Sequence, residues 1–204
     1  MANFSDAIWP VQNLSGATSF PVGYQVEEAG QSILSGTPVM VKAADGGLQA
    51  WDGTTLPGIA GILAENSNNL GTTGAGAPVG FSPITGPGSV VGSYAANPYQ
   101  PSAVVTPAMV PMSDGRLRYF IAVPGTVFIA KIGTSVSVTP VATAYGQVGV
   151  NYGLTKDSGN SFWYVDTNKT NAVTVVAISP LEPIGTVGGH VFFVFQPGAA
   201  SISA

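Results

Sequence analysis

The fold class is indicated most clearly by one stretch of sequence, Ser35-Gly-Thr-Pro-Val-Met-Val-Lys-Ala-Ala-Asp-Gly-Gly-Leu-Gln-Ala-Trp51. Two β-prone runs flank the pair Asp45-Gly46, and an Asp-Gly pair between such runs is typical of a tight hairpin turn. We therefore expect a β-hairpin from Val39 to Trp51. The next run, Pro57-Gly-Ile-Ala-Gly-Ile-Leu63, is rich in glycine and small residues, which predicts a strand whose backbone closely approaches its neighbour.

Six further β-prone segments follow in the C-terminal half, separated by turns rich in Gly, Pro and Asp. They are Arg116–Val123, Thr126–Ile132, Ser135–Val141, Ser161–Asp166, Ala172–Ile178 and Val191–Phe195. The segment beginning at Ser135 alternates polar and apolar residues, as a strand with one solvated face does. Short strands at this spacing predict an all-β fold, an antiparallel sandwich or small barrel.

Two regions fall outside this pattern. Residues 1–25 carry the apolar side chains Phe4, Ile8, Trp9, Val11 and Leu14, whose spacing fits no helix face and is interrupted by a proline. This region is predicted to be an extended N-terminal arm, and residues 26–204 are predicted to form one β-domain. Within that domain, residues 66–107 are rich in Gly, Ala, Pro, Ser and Thr and predict a long insertion.

The composition narrows the class of protein. Charged residues make up 8% of the chain, against roughly 25% in ordinary globular proteins. The net charge is −4 with six Lys and Arg residues scattered along the chain, so no basic stripe is present to bind nucleic acid. The apolar runs, such as Ala172–Ile178, fall far short of the roughly 18 residues that a membrane helix needs. We expect neither nucleic acid nor a membrane as partner.

Residues for catalysis or cofactor binding are scarce. His190 is the one histidine and is interpreted as a turn residue opening a strand, because no nucleophile motif accompanies it. Four aspartates, Asp45, Asp52, Asp114 and Asp157, lie beside or near glycines and are expected to serve turn geometry. The segment beginning at Asp166 lacks the glycine and glutamate of a calcium loop. The sequence thus predicts a protein that is not an enzyme and has no catalytic residue, metal or cofactor, although two facing carboxylates of a cleft hydrolase stay an alternative.

Several blocks of sequence resemble a known family. They are Gln31–Val41, Asp45–Leu48 and Pro57–Leu63 in the first half, and Gly153-Leu154, Ser161–Asp166, Pro183–Gly185 and Gly189–Phe195 in the second. These blocks resemble head decoration (capsid cement) proteins of tailed bacteriophages, and the resemblance covers about half of the chain. The segment from Asn66 to Pro107 departs from the pattern of the smaller members.

The resemblance implies a structural role on a virion. It implies a homotrimer that is assembled in the host cytoplasm, binds the major capsid protein on the outer surface of the capsid and stabilises the lattice. The N-terminal arm is the expected capsid contact, made by Phe4, Ile8, Trp9, Val11 and Leu14, with Trp9 contributing most because it is the largest anchor.

Two other binding roles stay open. One is a receptor- or carbohydrate-binding β-module of a virion, in which Trp51 and Trp163 would be stacking platforms. Such platforms need exposed, coplanar rings, whereas rings buried in a sheet would argue against this role. The other is a different capsid or tail structural subunit.

Overall fold

The computed structural model describes residues 6–26, 33–43, 46–66, 116–159 and 161–201. Within these ranges the chain folds into strands and one short 3₁₀ turn, Tyr145–Gln147, without an α-helix. The predicted all-β class is confirmed. The strands are β1 (Trp9–Asn13), β2 (Val22–Val26), β3 (Pro38–Val41), β4 (Leu48–Ala50), β5 (Gly61–Leu63), β6 (Arg116–Ile121), β7 (Thr126–Thr134), β8 (Thr139–Pro140), β9 (Asn151–Lys156), β10 (Trp163–Asp166), β11 (Val173–Ile178) and β12 (His190–Phe195).

Five strands close into a barrel in the order β7, β10, β9, β11, β12 and back to β7. Neighbouring strands are antiparallel except β10 and β7, which run parallel. Alternate residues of β12 are buried, and the barrel interior includes the rings of Phe128, Phe193 and Phe195, with centroids between 5.2 and 5.8 Å apart. These aromatic side chains bury large apolar areas, so they contribute strongly to the stability of the barrel.

The second sheet has the strand order β2, β6, β5, β3, β4. Its β3–β4 hairpin pairs Val39 with Ala50, which confirms the predicted hairpin, although the Lys42–Gly47 backbone bond makes the connection longer than two residues. The predicted close approach is also confirmed, since a Cβ atom at Gly61 would overlap the carbonyl oxygen of Phe120 on β6. This contact allows β5 to pack between β3 and β6.

Two details of the strand prediction differ from the structure. Residues 135–138 form a turn and only Thr139–Pro140 pair with β7, so the predicted strand over Ser135–Val141 is largely wrong. The backbone N–H of Ser135 is diverted to the carboxylate of Asp166, which ends β7 there. The sequence analysis also missed β9, because its residues show no clear apolar alternation.

The N-terminal region contributes a strand to each sheet. Strand β1 pairs with β7 on the barrel, and β2 pairs with β6 in the second sheet. Ile8, just before β1, has no exposed surface and packs in the same apolar core as the barrel residues. The described part of the predicted arm is therefore extended and docked on the chain's own sheets. The division of the chain at residue 25 stays a prediction.

Candidate functional site

Large apolar side chains are exposed along the first two strands and the turn between them. Trp9 is 37% exposed, Val11 42% and Leu14 59%, and Val22 and Tyr24 on β2 are also exposed. We call these five residues the N-terminal surface. Contiguous exposed apolar area on a folded chain is typical of a site that another molecule covers.

Phe120 on β6 connects the two halves of this surface. Its ring packs edge to face with Trp9 at a centroid distance of 6.0 Å, and with Phe20 at 6.1 Å. Val22 lies opposite Phe120 in the β2–β6 ladder, so both side chains emerge on the same face of that sheet. The N-terminal surface thus spans the junction between the barrel and the second sheet.

The turn that carries Leu14 is held by local hydrogen bonds. The side-chain oxygen of Asn13 accepts hydrogen bonds from the backbone N–H and the hydroxyl of Ser15, at 3.0 and 2.7 Å. The N–H of Leu14 donates to the carbonyl of Gly125 at 2.8 Å, and Gly16 takes a positive φ of 78°. Leu14 is consequently presented from a fixed backbone, which lowers the entropic cost of binding through it.

The segment that carries this surface has no charged residue of its own, although the exposed Arg118 on β6 lies opposite Tyr24. From Ala7 to Val26 the chain has no Asp, Glu, Lys, Arg or His. Protein interfaces are depleted of charge at their centre and enriched in aromatic residues, as this segment is. Pro10 has no N–H, and the register of β1 shifts between Pro10 and Gln12, so the strand is a poor template for adding further strands. Side chains, more than the backbone, are therefore the groups this segment offers to a partner.

A second group of exposed apolar residues lies on two loops beside the barrel. These residues, which we call the loop surface, are Tyr145, Leu181, Ile184 and Val187. Backbone hydrogen bonds join the loops, from the N–H of Thr143 to the carbonyl of Thr186 at 3.0 Å and from the N–H of Gly185 back to the carbonyl of Thr143 at 2.9 Å. The loop surface, whose side chains are on the whole more exposed, provides a comparison for the N-terminal surface.

The predicted contact residues differ in their exposure to solvent. Trp9, Val11 and Leu14 are solvent-exposed. Ile8 is buried in the chain's own core, so it packs beneath the N-terminal surface and is not accessible to a partner. Phe4 lies outside the described residues. The set available for contact is therefore Trp9, Val11 and Leu14, extended by Val22 and Tyr24, which the sequence analysis did not select.

An ionic cluster lies beside the start of β1. His190 begins β12, as predicted, and its Nε2 atom is 3.0 Å from Asp6 Oδ2 while its Nδ1 atom is 3.0 Å from Glu182 Oε1. Lys131 Nζ lies 3.2 Å from the same Asp6 oxygen. Burial tends to raise the pKa of Glu182, but hydrogen bonds from the backbone and ring of His190 outweigh it and lower that pKa. The sequence analysis missed this cluster because Asp6 and Lys131 are far from His190 in the chain.

Other carboxylates serve the fold. Asp166 is fully buried and accepts hydrogen bonds from Thr155 Oγ1 at 2.6 Å and from the backbone N–H groups of Ser135 and Asn168. Burial opposes its charge, but these hydrogen bonds prevail and lower its pKa. Hydrogen bonds from the side chain and backbone of Thr55 lower the pKa of Asp52 to about 2. Asp52 thus stabilises a turn, as predicted.

The two tryptophans proposed as stacking platforms are buried. Trp51 and Trp163 pack against each other with ring centroids 5.5 Å apart and planes tilted by 33°. A cavity of about 240 Å³ adjoins them, with Lys156 and Ser161 on its wall. Since Trp51 and Trp163 are only 2% and 5% exposed, these residues do not form the exposed platform that a carbohydrate-binding role would use.

Three more observations concern metal sites, membrane helices and similarity to known proteins. Among the residues that the structure describes, no group of three or more His, Cys, Asp or Glu side chains is arranged to hold a metal ion. None of the described segments forms a helix of the length and apolarity needed to cross a membrane. No protein-family model, curated protein or solved structure matches the chain.

Proposed function

We propose that this chain is a decoration or cement protein, which binds the outer surface of a tailed-phage capsid and stabilises its lattice. The observation that carries the proposal is the N-terminal surface: five exposed apolar side chains, from a segment without charged residues, on a backbone fixed by two sheets. The resemblance in sequence supplies the identity of the partner, the major capsid protein. In this proposal the chain is a structural protein of the virion and not an enzyme.

The expected energy of contact is modest for one chain. Fully burying a large apolar side chain contributes about 1.5–3 kcal/mol, so covering the part-exposed Trp9, Val11 and Leu14 contributes roughly 2–4 kcal/mol in total. A protein that attaches through several copies multiplies such contacts at high effective concentration. A homotrimer, which the resemblance implies, would therefore convert weak single contacts into firm attachment.

The architecture suits a stabilising role. The barrel is closed, so its five strands expose few unpaired edges. The buried carboxylate of Asp166 and the exposed one of Asp52 are hydrogen-bonded within the chain, and His190 is engaged by two carboxylates. These groups maintain the shape of the protein. A clamp between capsid subunits needs shape and contact area, and those are the properties that the described residues offer.

The alternative of a carbohydrate-binding module is less well supported, because Trp51 and Trp163 are buried against each other. A different capsid or tail subunit would be recognised by self-assembly, since such a subunit forms lattices or tubes alone. A decoration protein alone would stay a discrete oligomer.

The test compares images of two kinds of virus particle. One kind is made with the gene for this chain, and the other is made after the gene has been deleted. The proposal predicts intact heads in both, with density on the outer face of the head lattice present only when the chain is made. The mutant heads should also open at lower temperature or lower internal pressure. Density in the tail, or heads that fail to assemble without the chain, would contradict the proposal.

A further inference from the structure

His190 is placed so that both of its ring nitrogens point at carboxylate oxygens. The Nδ1 atom lies 3.0 Å from Glu182 and the Nε2 atom 3.0 Å from Asp6, and the backbone N–H of His190 also donates to Glu182 at 2.7 Å. A neutral imidazole has one N–H and one lone pair, whereas the imidazolium has two N–H groups. The charged form satisfies both contacts, and the neutral form would set a lone pair against a carboxylate.

We propose that His190 is a proton-dependent latch for the N-terminal strand. Asp6 lies three residues before β1, and its carboxylate reaches across to two cations on the barrel, His190 on β12 and Lys131 on β7. These two cations occupy directly opposed positions in the β7–β12 ladder. The imidazolium therefore ties the start of the N-terminal strand to the barrel by a charged hydrogen bond, and loss of its proton removes the charge and leaves one ring N–H for the two carboxylates.

The sign of the pH effect follows from the groups around the ring. The described charged groups that face His190 are Asp6 from the N-terminal segment, Lys131 from β7 and Glu182 from the loop before β12. Because only the charged ring donates to both carboxylates, the latch is closed while the ring is protonated and opens when the ring loses its proton. At lower pH it persists until Glu182, whose pKa is lowered, takes up a proton.

The consequence for attachment rests on the proposed function. Trp9 follows Asp6 by three residues and belongs to the N-terminal surface, so an open latch frees the segment that presents it. Binding to capsids should then weaken when the ring loses its proton. The latch itself is a property of the free protein and is measured without capsids.

The first test uses the fact that the chain has a single histidine. The ¹⁵N chemical shifts of both ring nitrogens in the free, full-length protein report its protonation state without assignment by mutagenesis. At pH 5.5 we expect both nitrogens to carry protons and to show hydrogen-bonded proton signals. A ring with one protonated nitrogen at that pH would overturn the latch.

The second test measures amide exchange and the unfolding midpoint of the wild type at pH 5.5 and pH 8, in parallel with His190→Gln and Asp6→Asn. The amides of residues 7–9, corrected for intrinsic rates, should exchange faster at pH 8 in the wild type and fast at both pH values in the two variants. Asp52→Asn is the matched control, because the Asp52 carboxylate has a pKa of about 2 and does not titrate in this range.

The variants and the control separate the outcomes. The latch predicts that the control keeps the pH dependence of the wild type and that both latch variants lose it. The same pH dependence in wild type and His190→Gln would overturn the latch. Capsid binding is measured separately at both pH values. A latch in the free protein with no capsid binding at either pH would overturn the proposed function and leave the latch standing.

Discussion

The docking of the N-terminal strand is open to a sharp mutational test. Ile8 has no exposed surface and packs in the barrel core, whereas Val11, three residues later, is exposed. Ile8→Ala removes three carbon atoms, each worth about 0.8 kcal/mol of burial, and leaves a cavity, so a loss of about 2–5 kcal/mol in the free energy of unfolding is expected. Val11→Ala, the matched control, should cost less than about 1 kcal/mol.

Urea denaturation, followed by tryptophan fluorescence, measures both variants against the wild type. For a chain of this size a loss of about 3 kcal/mol corresponds to a fall of about 6–12 °C in Tm, which calorimetry detects easily. If Ile8→Ala changed stability no more than Val11→Ala, the N-terminal strand would not be docked in solution. The N-terminal surface would then lack its fixed backbone, and the reasoning behind it would fail.

Three other outcomes are expected from the fold. Gly61→Ala should prevent folding or cost more than about 3 kcal/mol, because its methyl group meets the carbonyl of Phe120, and soluble yield with urea denaturation checks this. Asp166→Ala should cost about 2–4 kcal/mol by leaving the three donors to its carboxylate without an acceptor, measured in the same way. Burial raises the pKa of Asp166, but hydrogen bonds outweigh this effect and the pKa is lowered. The contribution of Asp166 to the free energy of unfolding is therefore complete above the usual aspartate pKa and is lost as the pH falls through the lowered pKa. On acid titration, Asp166→Ala should accordingly lose less stability than the wild type.

The sequence predicts the all-β class and much of its layout because the signals are local. The hairpin around Asp45-Gly46 and the small residues at 57–63 need only neighbouring residues to be interpreted. Where a distant group competes for the backbone, the local signal fails. Ser135 belongs to an alternating segment, yet Asp166 captures its N–H and turns the chain.

The candidate site could be predicted only in part, because local features are visible in the sequence and contacts between distant residues are not. Composition indicates that residues near the N-terminus are apolar and uncharged, but it does not say which of them face inward. In the structure Ile8, just before β1, is buried, and Trp9, the first residue of β1, is exposed. The cluster around His190 joins residues 184 positions apart, and no local pattern in the sequence indicates such a contact.

The central claim is that the N-terminal surface attaches the chain to a capsid, and its most direct measurement is co-sedimentation with capsids that lack the chain. Val11→Ser with Leu14→Ser removes two exposed apolar residues of that surface, and Leu181→Ser with Val187→Ser removes two from the loop surface, which are 79% and 67% exposed. We expect at least about a tenfold weaker affinity for the first double variant, equivalent to about 1.4 kcal/mol, and wild-type binding for the second. Equal binding by both variants, or a loss confined to the loop-surface variant, would contradict it.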